Sequence, residues 1–208
     1  MSIYGRSSSQ LAVSKCIFLV QTPYRLIGEL FGTDFSPSET AGILSSAAPR
    51  ATEPNVLVDG VYHGKPSELL LHADRNGFFS VLDRTDGKLL LAKPFLRRVD
   101  CAKSISAQGR PVVADPRGCP SDAANWDSTA FSPVRRLYYF MALEECVGAP
   151  TGYPDQTGQR FLRAVNIETG EISWEVPQPG PARAKTWSGV LATAGGLVFY
   201  GPMAALRP

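Results

Sequence analysis

An all-β chain is predicted by three features of this sequence. Apolar runs of four to six residues recur from residue 55 onward. They are joined by turns carrying Gly, Asp or Asn, the punctuation of hairpins. No segment holds a helical stripe longer than about two turns. The 19 Gly and 17 Pro agree with a turn-rich β architecture, and no periodic run makes the chain collagenous.

The chain divides near residue 54. Residues 1–54 are irregular: a Ser-rich start, one short apolar strand over residues 16–21, and a stretch over 35–54 rich in Ser, Ala, Pro and Thr with little periodicity. Residues 55–208 are the better patterned part. Strands are expected over 55–58, 68–73, 78–83 and 88–92, with turns at Asp74-Arg75-Asn76-Gly77 and Thr85-Asp86-Gly87-Lys88. The same grammar returns at 137–142, 161–166, 171–176, 190–192 and 197–200.

The totals exclude several functions. The 21 basic and 19 acidic residues leave a net charge of +2 with no basic stripe, so nucleic acid is not an expected partner. The longest N-terminal apolar run, residues 16–20, is too short to span a bilayer, and no cleavage site follows it closely, so neither a membrane segment nor an export signal is read. Of the four cysteines, Cys16, Cys101, Cys119 and Cys146, none forms a C-x-x-C pair, which argues against a structural zinc site.

An internal repeat sets the architecture. Ser80-Val-Leu-Asp-Arg-Thr-Asp-Gly-Lys88 and Arg163-Ala-Val-Asn-Ile-Glu-Thr-Gly-Glu171 share one frame, with Asp83 and Asn166 in the same slot 83 residues apart. Two ordinary hairpins with similar turns would share it too, but the offset also fits two propeller blades of about 40–50 residues each. Eight positions after that slot stand Leu91 and Trp174.

Longer blocks resemble the pyrroloquinoline quinone (PQQ) dependent dehydrogenases. Ala164-x-Asn166-x-x-Thr169-Gly170-x-x-x-Trp174 resembles their tryptophan-docking motif, in which a Trp of one blade packs on the Gly-bearing turn of its neighbour. His72-Ala-Asp-Arg-Asn-Gly-Phe-Phe-Ser-Val-Leu-Asp-Arg-Thr-Asp-Gly87 resembles the family signature A-x-R-N-G-F-F-Y-V-L-D-R-T-x-G over sixteen nearly continuous residues. Val56-Leu-Val-Asp-Gly-x-x-x-Gly-Lys-Pro66, Asn125-Trp126 followed by Phe131-Ser-Pro133, and the block from Trp187 to Gly201 match as well. The resemblance covers residues 55–201 and implies an all-β partial β-propeller, roughly three or four antiparallel blades of an eight-bladed one. An unclosed propeller leaves sheet edges that invite self-association.

Family roles carry over at few positions. Arg75 falls where a cation donates to the quinone oxygens of PQQ and would stabilise charge developing there. Asn125 and Trp126 fall where the family lines the PQQ pocket, and Trp187 is a further candidate for the same wall or for core packing. Cys119 and Cys146 flank the Asn125-Trp126 segment, and comparable cysteines in the family form a disulfide. The resemblance further implies an alcohol or sugar substrate, an electron acceptor, calcium or a lanthanide in the full-length family, and a periplasmic location.

No catalytic residue is assigned. The family places its base, an Asp, in a segment like Q-T-x-P-H-D-x-W-D-x-D, where it takes the substrate's hydroxyl proton. The nearest stretch here is Gln21-Thr-Pro-Tyr-Arg-Leu-Ile-Gly-Glu-Leu30, with Gly28 where that Asp should stand, and Glu29 and Asp34 out of register. No metal ligand is assigned either, because the blades that supply the family's metal-binding Glu have no counterpart in the chain. The expectation is a catalytically incomplete part of a quinoprotein dehydrogenase. A non-catalytic propeller-type scaffold is the alternative, and a mispredicted reading frame over residues 1–54 is a third.

Overall fold

A computed structural model describes residues 53–106, 111–114, 120, 123–145, 158–178 and 188–201. The strand expected at residues 16–21 and the Gln21–Leu30 segment lie outside them. Two four-stranded antiparallel meanders dominate. The first runs β1 (Val56–Tyr62), β2 (Lys65–Ala73), β3 (Phe78–Asp83) and β4 (Leu89–Pro94). After the short hairpin β5 (Ala102–Ile105) and β6 (Pro111–Val113) comes the second, β7 (Ala130–Ser132), β8 (Leu137–Glu144), β9 (Gln159–Asn166) and β10 (Ile172–Pro177). A final hairpin, β11 (Val190–Ala192) and β12 (Val198–Tyr200), lies beside β7 and β8. No helix occurs among the described residues, so none there is long and apolar enough to cross a membrane.

The strand period of two explains the stacking. On the first blade, Leu69, Leu71, Phe79 and Val81 turn one way; on the second, Tyr138, Phe140, Ala142 and Val165 turn to meet them in one buried cluster. The Phe79 and Tyr138 rings lie 5.2 Å apart, and Phe95 meets Phe140 edge-on at 4.8 Å. The alternate residues Leu137, Tyr139, Leu162 and Ala164 face the other way and pack against Val190, Val198 and Tyr200 of the last hairpin. Both buried faces of the second blade thus have a neighbouring sheet, the layered arrangement of propeller blades.

The repeat is reproduced down to its irregularities. Asp83 Oδ1 accepts the Thr85 N–H at 2.9 Å, and Asn166 Oδ1 accepts the Glu168 and Thr169 N–H groups at 2.8 and 3.1 Å. The Gly87 N–H closes on Asp83 O at 2.9 Å, as Gly170 N–H does on Asn166 O at 2.8 Å. A register shift follows in both copies: between the Leu82–Leu89 and Val81–Leu91 pairs in one, and between Val165–Ile172 and Ala164–Trp174 in the other. Apart from the additional Thr169 contact, every member of the second set lies 83 residues after its counterpart.

Docking between blades also follows the motif, with a different side chain. Gly170 has φ +72°, and a Cβ there would lie 2.5 Å from Lys93 Cγ, 2.7 Å from Lys93 Cβ and 3.2 Å from Leu91 Cδ2. Leu91, in the slot that Trp174 fills in the second copy, therefore packs with Lys93 on the glycine turn of the next blade. Trp174 itself lies 5.7 Å from the Tyr139 ring of its own blade and is partly exposed.

Polar contacts complete the seam between blades. Arg163 is fully buried; it donates to Phe95 O, to Glu144 Oε1 at 2.5 Å and to Glu175 Oε2 at 3.0 Å. Its guanidinium and that of Arg97 lie on the Phe161 ring, at 4.8 and 4.6 Å from its centre. At the end of the sheets that carries the β1–β2 and β9–β10 turns, His63 N–H donates to Glu168 Oε1 at 2.8 Å, and Arg136 donates to Glu168 and to Val61 O.

Candidate functional site

In an antiparallel meander successive turns lie at opposite ends, so the β2–β3 turn sits at the end away from the docking glycine turns. The sequence Asp74-Arg75-Asn76-Gly77 forms it for local reasons. Asp74 Oδ1 accepts the Asn76 N–H and Asn76 Oδ1 accepts the Phe78 N–H, each at 3.0 Å, so two side chains satisfy the backbone of the bend. Asp74 and Asn76 are buried by this, and Arg75 between them points outward, its side chain 17% exposed.

The segment that enters the second blade crosses this turn. Ala123 N–H donates to Arg75 O at 3.0 Å, and Ala123 O accepts the Leu143 N–H at 2.8 Å, tying the turn of one blade to β8 of the next. Two residues on, Asn125 Oδ1 accepts from Arg75 Nη2 at 2.8 Å and from the Trp126 N–H at 2.9 Å. Three residues singled out in the sequence, Arg75, Asn125 and Trp126, are thus brought together across a blade boundary. Trp126 lies more than half exposed, at 56%. Trp187 lies outside the described residues, as do Cys16, Cys119 and Cys146. The residues just after Trp187 approach the same segment: Val190 N–H donates to Ser128 O at 2.8 Å.

Two acidic residues of this region were not singled out. Glu53 Oε1 accepts from Arg75 Nε at 2.9 Å, with the Glu53 side chain only 1% exposed. Burial, and then the nearby Asp74 carboxylate, raise the Glu53 carboxyl above the ordinary carboxylate range; a hydrogen bond from its own backbone and the His72 and Arg75 charges oppose this without reversing it. His72 Nε2 lies 3.7 Å from Asp74 Oδ2, an ion pair when the ring is protonated. Asp127 is buried and its Oδ1 accepts no hydrogen bond; desolvation raises its carboxyl to about 6. Glu53 ends the stretch without periodicity, so its only sequence signal was an acid three residues before a strand. Asp127 signalled itself only as an acid beside Trp126.

The donor set fits a planar, carboxylated quinone: a guanidinium, an amide and an accessible indole stand on one rim. Among the described residues no group of three acidic, His or Cys side chains is disposed to hold a metal ion.

The chain is 34% identical to the quinoprotein ethanol dehydrogenase of Pseudomonas putida over 177 residues, 66% of this chain and 27% of that protein. It is 34% identical to the lanthanide-dependent methanol dehydrogenase of Methylacidiphilum fumariolicum over 184 residues, 71% of this chain and 29% of that one. The chain belongs to the PQQ-dependent quinoprotein dehydrogenase family. The fold agrees: the quinohemoprotein alcohol dehydrogenase of Comamonas testosteroni superposes with a TM-score of 0.58 at 28% identity, covering 73% of this chain and 28% of that one. A europium-containing methanol dehydrogenase superposes with a TM-score of 0.58 at 30% identity, covering 72% and 31%. No family model matches. The quinoprotein chain therefore spans about three-tenths of the length of the relatives it matches, and its two described meanders are blades of a partial β-propeller.

Proposed function

We propose that this quinoprotein chain carries one wall of a PQQ site, and that it is part of a periplasmic dehydrogenase that oxidises alcohols or sugars. The observation that carries the reading is the 2.8 Å hydrogen bond from Arg75 to Asn125 across two blades, beside the accessible Trp126. Bound there, PQQ would supply the hydride acceptor for oxidation of a carbinol carbon. The chain's own residues bind and orient. Arg75 would place a fixed positive charge against the quinone oxygens, Asn125 an amide beside it, and Trp126 a flat apolar surface for the ring system.

The proposal assigns no group here to the proton of the substrate hydroxyl. The family's Asp has no match at Gly28, so the isolated chain is expected to bind PQQ without turnover. Calcium or a lanthanide would be held by residues of the full-length family that this chain does not match. The names of several relatives add a cytochrome c to methanol or 1-butanol oxidation, and an electron acceptor of that kind is the proposed partner of the whole enzyme.

Titrating the full chain with PQQ, with and without calcium or lanthanum, while following tryptophan fluorescence, tests the site. Saturable quenching is expected, weakened about tenfold or more in Arg75→Ala through loss of a charge-assisted contact. Absence of quenching would sink the binding claim. Reduction of an artificial electron acceptor by the isolated chain with ethanol would sink the claim of incompleteness.

A further inference from the structure

The Arg75 guanidinium is gripped along one edge by two separate stretches of chain. Nε donates to Glu53 Oε1 at 2.9 Å from just before β1, and Nη2 donates to Asn125 Oδ1 at 2.8 Å from the segment entering β7. Nε and Nη2 are the two nitrogens of the side edge of the fork. Acceptors on both fix the rotation of the guanidinium plane, which a single acceptor would leave free.

The acceptors differ in character. Asn125 is a neutral amide that also receives the Trp126 N–H, so it links the cation to the loop bearing the indole. Glu53 is an acid whose side chain is 1% exposed, against 17% for Arg75. A carboxylate so enclosed faces the protein and not the rim where a ligand would lie. Among the described residues, the ionisable groups that act on it are Asp74 and His72, from the end of β2 and its turn, together with Arg75 itself.

We infer that Glu53 is a positioning residue for Arg75: it holds the guanidinium plane in the orientation that meets the carbonyl and carboxylate oxygens of the quinone, without touching the ligand. This rests on the reading of the rim as a PQQ site. The role belongs to a residue outside the recognisable family blocks, three positions before the first strand.

The test uses the full chain and two independent readouts. The first is PQQ affinity by tryptophan quenching in a cycle of Glu53→Gln, Glu53→Ala and Arg75→Lys. Loss of a charged hydrogen bond is expected to weaken binding about tenfold in Glu53→Ala, less in the near-isosteric Glu53→Gln. In the Arg75→Lys background, which has no side edge to hold, both Glu53 variants are expected to bind as their parent does. An equal loss in both backgrounds would overturn the inference, since Glu53 would then act without Arg75.

The second readout needs no ligand: the nitrogen-15 NMR signal of the Arg75 Nε–H. It is expected to exchange slowly with water in the parent chain and rapidly in both Glu53 variants. Slow exchange persisting in Glu53→Gln and Glu53→Ala would overturn the positioning role even if PQQ binds. Absence of PQQ quenching in the parent would overturn the quinone reading and the ligand named here, while the exchange rates would still decide whether Glu53 holds Arg75.

Discussion

Replacing Gly170 by Ala tests the docking of one blade on the next. Two costs add. At φ +72° any side chain meets the left-handed penalty of about 1–2 kcal/mol. The new methyl would also stand 2.7 Å from Lys93 Cβ and 2.5 Å from Lys93 Cγ, on β4 of the other blade. The Cβ is anchored to a paired strand, so the sheets must part or the turn must distort, an overpacking cost of about 1–3 kcal/mol. The total is about 2–5 kcal/mol. Gly64 is the internal control: its φ is +78°, but nothing lies within 4 Å of the added atom, so Gly64→Ala pays the backbone penalty alone. Urea unfolding followed by circular dichroism gives both values. Lys93→Gly removes the two closest atoms and leaves Leu91 Cδ2 at 3.2 Å, so in that background the cost of Gly170→Ala is expected to fall toward that of Gly64→Ala without quite reaching it. Equal costs for the two alanine variants in the parent chain, or no relief from Lys93→Gly, would refute the close approach as the reason for glycine.

Other outcomes follow from single residues. Asp127 has its carboxyl raised to about 6, so the fold favours its neutral form; that contribution is complete below the ordinary value near 4 and is lost as the pH rises through 6. Asp127→Asn is therefore expected to stabilise the chain by up to about 3 kcal/mol at pH 7 and by almost nothing below pH 4, and a gain independent of pH would contradict this. Arg163→Ala takes the side-chain donor from Phe95 O and leaves Glu144 only Arg97, through its N–H at 3.1 Å and its guanidinium at 3.9 Å, and is expected to cost about 3 kcal/mol in urea unfolding. A cost under about 1 kcal/mol would show that the seam does not depend on this ion pair.

The sequence was most legible where apolar runs were dense and turns well punctuated. Phe78–Asp83 and Val190–Ala192 are strands with the expected ends. β1 runs further than its apolar start suggests, because Asp59 and Gly60 stay paired to Glu68 and Ser67 and the chain reverses only at His63-Gly64. β5, β6 and β7 carried no readable pattern: they are three or four residues long, and their partners rather than their composition make them strands. The repeat was legible as sequence, and its shared register shift was not, since a bulge leaves no residue-type signature here. In the site, the resemblance picked out Arg75, Asn125 and Trp126, but nothing in residue order showed that the first hydrogen-bonds the second. Glu53 was hidden because a counter-ion needs only the right position in space, and the stretch it ends has no periodicity.

The backbone link from Arg75 O through Ala123 to the Leu143 amide makes the rim a clasp. The Ala123–Arg75 bond joins the two halves of the wall and the Leu143–Ala123 bond holds the joined segment to β8, so the halves and the strand behind them should breathe as one. A ligand that bridges Arg75 and Trp126 would then tighten contacts well beyond its own footprint. Amide exchange at Ala123 and Leu143, slowing together on binding, would report that tightening from positions the ligand never touches.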